Sequence, residues 1–139
     1  MNEQLNNVCE FQSIFDKVGD TVFDKVGDTV NALDFETAKS RVRFCREELV
    51  EYLDAVSDKD LVGIIDSLVD LIYFAYGTVI LHGMKDVFDG AFKIVHESNM
   101  SKLDDSGSPI YREDGKVLKG NNFVAPEKEL KVLLDNYVR

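Results

Sequence analysis

REELVEYLDAVSDKDLVGIIDSLVDLIYFAYG, Arg46 to Gly77, decides the fold. Leading into it and through it, Ala38, Val42, Cys45, Leu49 and Leu53 recur at spacings of three and four, the period of a helix. Asp34 stands where an N-cap would, Glu36 falls in the first turn, and the helix is expected to run to about Val56. Ser57, Asp58 and Asp60 can cap and charge the start of the next helix, whose set Leu61, Ile64, Ile65, Leu68, Leu71, Ile72, Ala75 and Val79 covers about half its circumference. That helix should stop near Gly83. With only Ser57 to Lys59 between them, the two should be antiparallel neighbours in a helical hairpin.

Outward from the hairpin, Leu5, Val8, Phe11 or Gln12, Phe15 and Val18 predict an amphipathic first helix ending at Gly19. FDKVGDTV then occurs twice in tandem, Phe15 to Val22 and Phe23 to Val30. A period of eight turns a helix by about 80° between copies, so one continuous helix cannot present both to the same core. The duplication reads as an insertion tolerated in a surface connection. Asp86 should open a fourth helix with Val87, Phe88, Ala91, Phe92 and Val95 inward, reaching about Asn99. Residues 103–125 lose the period: LDDSGSP is turn chemistry, and IYREDGKVLK reads as a small hairpin about Asp114-Gly115. Pro126 starts a last helix through Tyr137, with Leu130, Leu133, Leu134 and Tyr137 on one face. The fold class is all-α: a single domain over residues 1–139, four to five helices around a hairpin core, with a small C-terminal β-hairpin or loop.

The 139 residues, 45% hydrophobic, suffice for one core. Lys and Arg number 16 against 26 Asp and Glu, a net charge of −10, so nucleic acid and anionic membranes are disfavoured as partners. Cys9 and Cys45 form no disulfide framework or metal spacing, which points to a reducing cytoplasm. The N-terminus lacks a basic, apolar leader pattern, and the uncharged apolar run Leu71 to Leu81 is too short to span a bilayer. The expectation is a soluble cytoplasmic protein.

Glu47, Glu48 and Glu51 sit on the second helix, where Glu51 shares a face with both earlier glutamates. Asp66 and Asp70 are one turn apart on the third, among strongly apolar neighbours, where a carboxylate must be desolvated or paired. A hairpin can set these groups opposite one another, and such an oxygen-rich cluster suits Mg²⁺ or Mn²⁺. On spacing alone the glutamates also describe a solvated acidic face, with Asp66 and Asp70 meeting local arginines.

REELVEYLDA, Arg46 to Ala55, followed by DSLVDLIYFAYG, Asp66 to Gly77, resembles the MazG-like all-α nucleoside triphosphate pyrophosphohydrolases, related to phosphoribosyl-ATP pyrophosphohydrolase. VHESNMSKLDDSGSPIYREDGKVLKGNNF, Val95 to Phe123, is similar to the tail of the phosphoribosyl-ATP-pyrophosphohydrolase-like branch of phages and bacteria. The family's E-E-x-x-E element falls on Glu47, Glu48 and Glu51. Its E-x-x-D element is met in part: Asp70 fits the Asp, Ser67 stands at the Glu position, and Asp66 is the nearest carboxylate. The resemblance implies Mg²⁺-dependent hydrolysis of a nucleotide to the monophosphate and pyrophosphate. It casts Glu47 as the base and Glu48, Glu51, Asp70 and Asp66 as metal ligands, Asp66 directly or through water. Asn99, Lys102, Lys116 and Lys119 are candidate phosphate contacts, where the alternative for the lysines is an ordinary surface role, and Tyr73 and Tyr76 either pack in the core or stack on the base.

The long apolar third helix calls for more cover than one chain gives, which together with the resemblance implies a homodimer or homotetramer. The rival readings are true phosphoribosyl-ATP hydrolysis in histidine synthesis and a non-catalytic acidic helical binding module.

Overall fold

The computed structural model describes residues 2–15 and 30–138. The end of the first helix expected at Val18 and Gly19, and nearly all of the FDKVGDTV duplication, lie outside the described residues. The helices are α1 (Glu3–Phe15), α2 (Phe35–Asp58), α3 (Leu61–Leu81), α4 (Phe88–Met100) and α5 (Glu127–Tyr137). The chain divides into two compact units, Met1–Asp86 and Val87–Arg139. The all-α expectation holds.

In the first unit α2 and α3 form the hairpin, and α1 packs on α3. Asp34 caps α2 by accepting from the Thr37 backbone N–H at 2.9 Å, a contact that typically stabilises by ~1 kcal/mol. Lys59 closes α2 in the left-handed conformation, φ 57°, with the Asp60 N–H reaching back 2.9 Å to the Ala55 carbonyl. Asp60 at once caps α3 by accepting from the Val62 N–H at 3.0 Å. Gly83, at φ 69°, ends the reach of α3. Asn31 is held there by a reciprocal pair: its N–H donates to the His82 carbonyl at 3.1 Å, and its carbonyl lies 2.8 Å from His82 Nδ1.

The apolar periods identify the helices and the faces that α1 (Leu5, Val8, Gln12) and α5 turn inward, but misplace much of the inner faces of α2 and α3. Leu61, Ile65, Leu68 and Ile72 of α3 and Val42, Leu49 and Leu53 of α2, all expected inward, are exposed. The half-buried line along α2 is instead Arg41, Phe44, Glu48, Tyr52 and Ala55. On α3 small side chains let α2 approach: a β-carbon on Gly63 would stand 3.1 Å from Ala55 Cβ, and Ser67 is buried. Both helices carry apolar residues on two faces, so a period read without tertiary context selects the wrong one. By length and composition α3 is long and apolar enough to cross a membrane, although Asp66 and Asp70 interrupt it.

In the second unit α4 packs on α5. α4 begins at Phe88, two residues after the expected start at Asp86, and Val87 before it makes no side-chain cap bond. Phe92 and Val95, expected inward on α4, are exposed, and Ser98 is the buried residue. The expected hairpin reduces to one antiparallel bridge, Tyr111 with Val117. Its loop has three residues rather than two, because the Arg112 N–H donates to the Lys116 carbonyl at 2.8 Å and Gly115 takes the left-handed position, φ 82°. Pro126 precedes α5 as expected, and Leu130, Leu133, Leu134 and Tyr137 are half-buried.

Candidate functional site

Glu48 lies on the α2 line that packs against α3, a position normally given to an apolar residue. Its carboxyl is pushed above the ordinary glutamate range, first by loss of water and then by the negative charges of Glu51, Asp70, Asp66 and Glu47. One side chain therefore feels all four other candidate carboxylates, two from each helix of the hairpin. Glu47, Glu51, Asp66 and Asp70 are themselves exposed.

Asp66 is one of the charges that act on Glu48, and Ser67 beside it is buried. The Ser67 hydroxyl is turned into its own helix, donating 2.9 Å to the Gly63 carbonyl. Among the described residues no three His, Cys, Asp or Glu side chains converge closely enough to hold a metal ion as they stand. The donor set still fits one kind of ion, since carboxylates without imidazole or thiolate are the ligands of hard divalent cations. Such an ion would offset the like charges that, after burial, raise Glu48.

On the outer side of α2, Arg43, Arg46, Glu47, Val50 and Glu51 line an open groove of about 420 Å³. Arg43 Nε is 3.8 Å from Glu47, in a pair more than half exposed on both sides. Arg41 is used differently. Its Nε donates to Thr78 Oγ1 at 3.1 Å and its Nη2 to the Phe74 carbonyl at 2.8 Å, with the guanidinium over the rings of Phe44 and Phe74. It fastens the hairpin away from the carboxylates.

Tyr73, three residues after Asp70, lines an apolar pocket of about 270 Å³ with Gln4, Asn7, Val8, Val69, Ile72 and Tyr76. Tyr73 meets Phe11 edge-on at 5.5 Å, and the Tyr76 hydroxyl accepts from Asn2 Nδ2 at 2.7 Å. The amides of Gln4 and Asn7 were not singled out from the sequence. Three residues apart on α1, they carry the signal of a shared face, but only packing shows which face.

In the second unit Lys102 Nζ donates to Asn99 Oδ1 at 2.6 Å, so two candidate phosphate-binding residues meet. Lys119 Nζ sits 4.2 Å over the Phe123 ring, and the exposed Lys116 follows the Gly115 turn. Gly120 ties this loop down: its N–H donates to the Lys102 carbonyl at 3.0 Å, and a β-carbon there would stand 2.3 Å from the Leu103 carbonyl oxygen. Asn99, Lys102, Lys116 and Lys119 thus share one unit, and the five carboxylates with Tyr73 the other.

This chain is 30% identical over 128 residues to an uncharacterized protein of Acanthamoeba polyphaga mimivirus, covering 92% of this chain and 46% of that protein. It thus spans about half the length of that curated relative. A crystal structure from Exiguobacterium sp. 255-15, of a protein named as a candidate NTP pyrophosphohydrolase, superimposes with a TM-score of 0.50 at 25% identity. The likeness covers 97% of this chain and 95% of that one. Residues 8–99, which include every carboxylate acting on Glu48 together with Tyr73 and Asn99, match the model of the phosphoribosyl-ATP pyrophosphohydrolase family, and the chain belongs to that family.

Proposed function

We propose that this chain hydrolyses a nucleoside or deoxynucleoside triphosphate, or a related nucleotide, to the monophosphate and pyrophosphate with Mg²⁺, as a homo-oligomer. The observation that carries the reading is Glu48, half-buried on the α2 line that packs against α3, whose carboxyl is raised first by loss of water and then by the charges of four others drawn from both helices of the hairpin. Glu48, Glu51 and Asp70, with Asp66 directly or through water, would hold the ion. Mg²⁺ or Mn²⁺ there supplies charge to offset the phosphates and lowers the pKa of a bound water.

Glu47 accepts the proton of the attacking water, whose oxygen forms the new bond to phosphorus while the α,β-anhydride bond breaks and the leaving oxyanion keeps the electron pair. Glu47 suits that role because it is exposed beside the groove. The base enters the apolar pocket against Tyr73. From the family resemblance we also propose a phosphate-binding role for Asn99, Lys102, Lys116 and Lys119 of the second unit. A second copy of the chain covers the exposed apolar faces of α2 and α3. The cytoplasm is the compartment this chemistry fits.

Ion-exchange separation of products from a nucleotide panel, with and without Mg²⁺, tests the reading. Monophosphate and pyrophosphate are the expected products. Orthophosphate with diphosphate, or no turnover of any nucleotide, would overturn it. The family's name favours one more substrate, phosphoribosyl-ATP, which belongs in the panel; exclusive turnover of that compound would place the chain in histidine synthesis.

A further inference from the structure

The groove on α2 places two guanidinium groups, Arg43 and Arg46, beside Glu47 and Glu51. Resting on the hydrolytic reading above, we propose that Arg43 and Arg46 grip the β- and γ-phosphates, the half of the substrate that leaves as pyrophosphate. Charge makes the first argument. The packed helices α2 and α3 carry five carboxylates, Glu47, Glu48, Glu51, Asp66 and Asp70, and an ionised triphosphate brings about four more negative charges. A divalent ion offsets only part of that excess. Lining the same groove as two of the carboxylates, Arg43 and Arg46 are placed to offset more.

Geometry makes the second argument. Arg43 and Glu47 are four residues apart on α2, as are Arg46 and Val50, so both guanidiniums project along the groove side rather than toward α3. Arg41, on the other side of α2, is committed to Thr78 and Phe74 and is not a candidate. The Arg43 to Glu47 contact, 3.8 Å and largely exposed, is weak enough to be exchanged for a phosphate, which accepts two parallel N–H bonds from one guanidinium. When the phosphates draw Arg43 away, Glu47 is left to the water.

The test is calorimetric titration of the full-length chain in Mg²⁺ with inorganic pyrophosphate and, separately, with adenosine monophosphate. Arg43→Ala and Arg46→Ala should each weaken pyrophosphate binding about tenfold, as loss of a charged hydrogen bond does, and leave monophosphate binding within about twofold. Arg43→Lys and Arg46→Lys, which keep charge but lose the fork, should fall between. The circular dichroism of the variants should match the parent, and KM for a hydrolysed triphosphate should rise. Pyrophosphate affinity unchanged in both alanine variants, or lost equally with monophosphate affinity, overturns the assignment. Failure of the underlying reading looks different: the parent protein itself would turn over no nucleotide.

Discussion

A β-carbon on Gly77 would stand 2.8 Å from Arg41 Nη2, so the glycine is the space the guanidinium occupies between α2 and α3. Gln12 Nε2, from α1, would be 2.9 Å from the same β-carbon. Three helices therefore converge on one missing methyl group. Arg41 cannot simply swing aside, because its bonds to Thr78 Oγ1 and the Phe74 carbonyl would be lost.

Gly77→Ala should consequently destabilise the protein by about 1–3 kcal/mol, the loss of a charged hydrogen bond and of packing outweighing the helix propensity gained. A denaturant melt of the variant beside the parent checks this. A neutral or stabilising result would mean that Arg41 has another seat.

Glu48→Gln should raise the melting temperature in chelator by ~1–3 °C at pH 7, since it removes a like charge from a packed face. The sign with pH follows from the raised carboxyl. Its folded value lies above the unfolded one, so the stability it contributes is complete below the ordinary carboxylate range and lost as pH rises through the folded value. The advantage of the variant should therefore shrink as pH falls from 7 toward 4, in melting curves recorded across that window.

Ligand and base should separate by metal affinity. Glu48→Gln, Glu51→Gln and Asp70→Asn each remove a charge that would hold a cation, so Mg²⁺ binding and turnover should fall together. Glu47→Gln should cut turnover by ~10²-fold or more with Mg²⁺ still bound, because a base acts on water. Titration calorimetry on the four proteins decides it, and unchanged Mg²⁺ affinity in the first three would remove the metal from this account.

Deleting one octapeptide, residues 23–30, should leave fold and activity largely intact. The two copies are identical, so removal of either yields the same sequence, and Asn31 keeps its bonds to His82 at the end of α3. Entry into α2 is therefore fixed after the changed segment. Loss of cooperative unfolding in thermal melts would show that the second copy packs.

Helix existence was legible in the sequence because capping chemistry is local: Asp34, Asp60 and Pro126 mark their starts within a residue or so. The orientation of α2 on α3 was not. Val42, Leu49 and Leu53 form as good a stripe as Arg41, Phe44, Glu48 and Tyr52, and the second stripe wins because small residues at Gly63, Ser67 and Gly77 let α2 approach α3 there. The carboxylates could be nominated from spacing, yet the prominence of Glu48 follows from that choice of face. The sequence could not tell apart the arginines near the acidic cluster, and Gly77 leaves room for Arg41 at the opposite end. The three-residue loop at Gly115 was missed because Asp-Gly serves both loop lengths, and only pairing of Arg112 with Lys116 distinguishes them.

The α2–α3 hairpin is fastened unequally along its length. At one end Arg41 bonds to Phe74 and Thr78 and lies over two aromatic rings, and toward the other Glu48 meets Asp66 and Asp70 with like charge. Local opening should follow that gradient, like a zipper loosened from its acidic end. In chelator, amide protons of residues 48–56 and 61–70 should exchange with deuterium faster than those of 41–45 and 74–80. A bound divalent cation should slow the first group and leave the second nearly unchanged, so that binding at the carboxylates is read out as a rigidity of the fold itself.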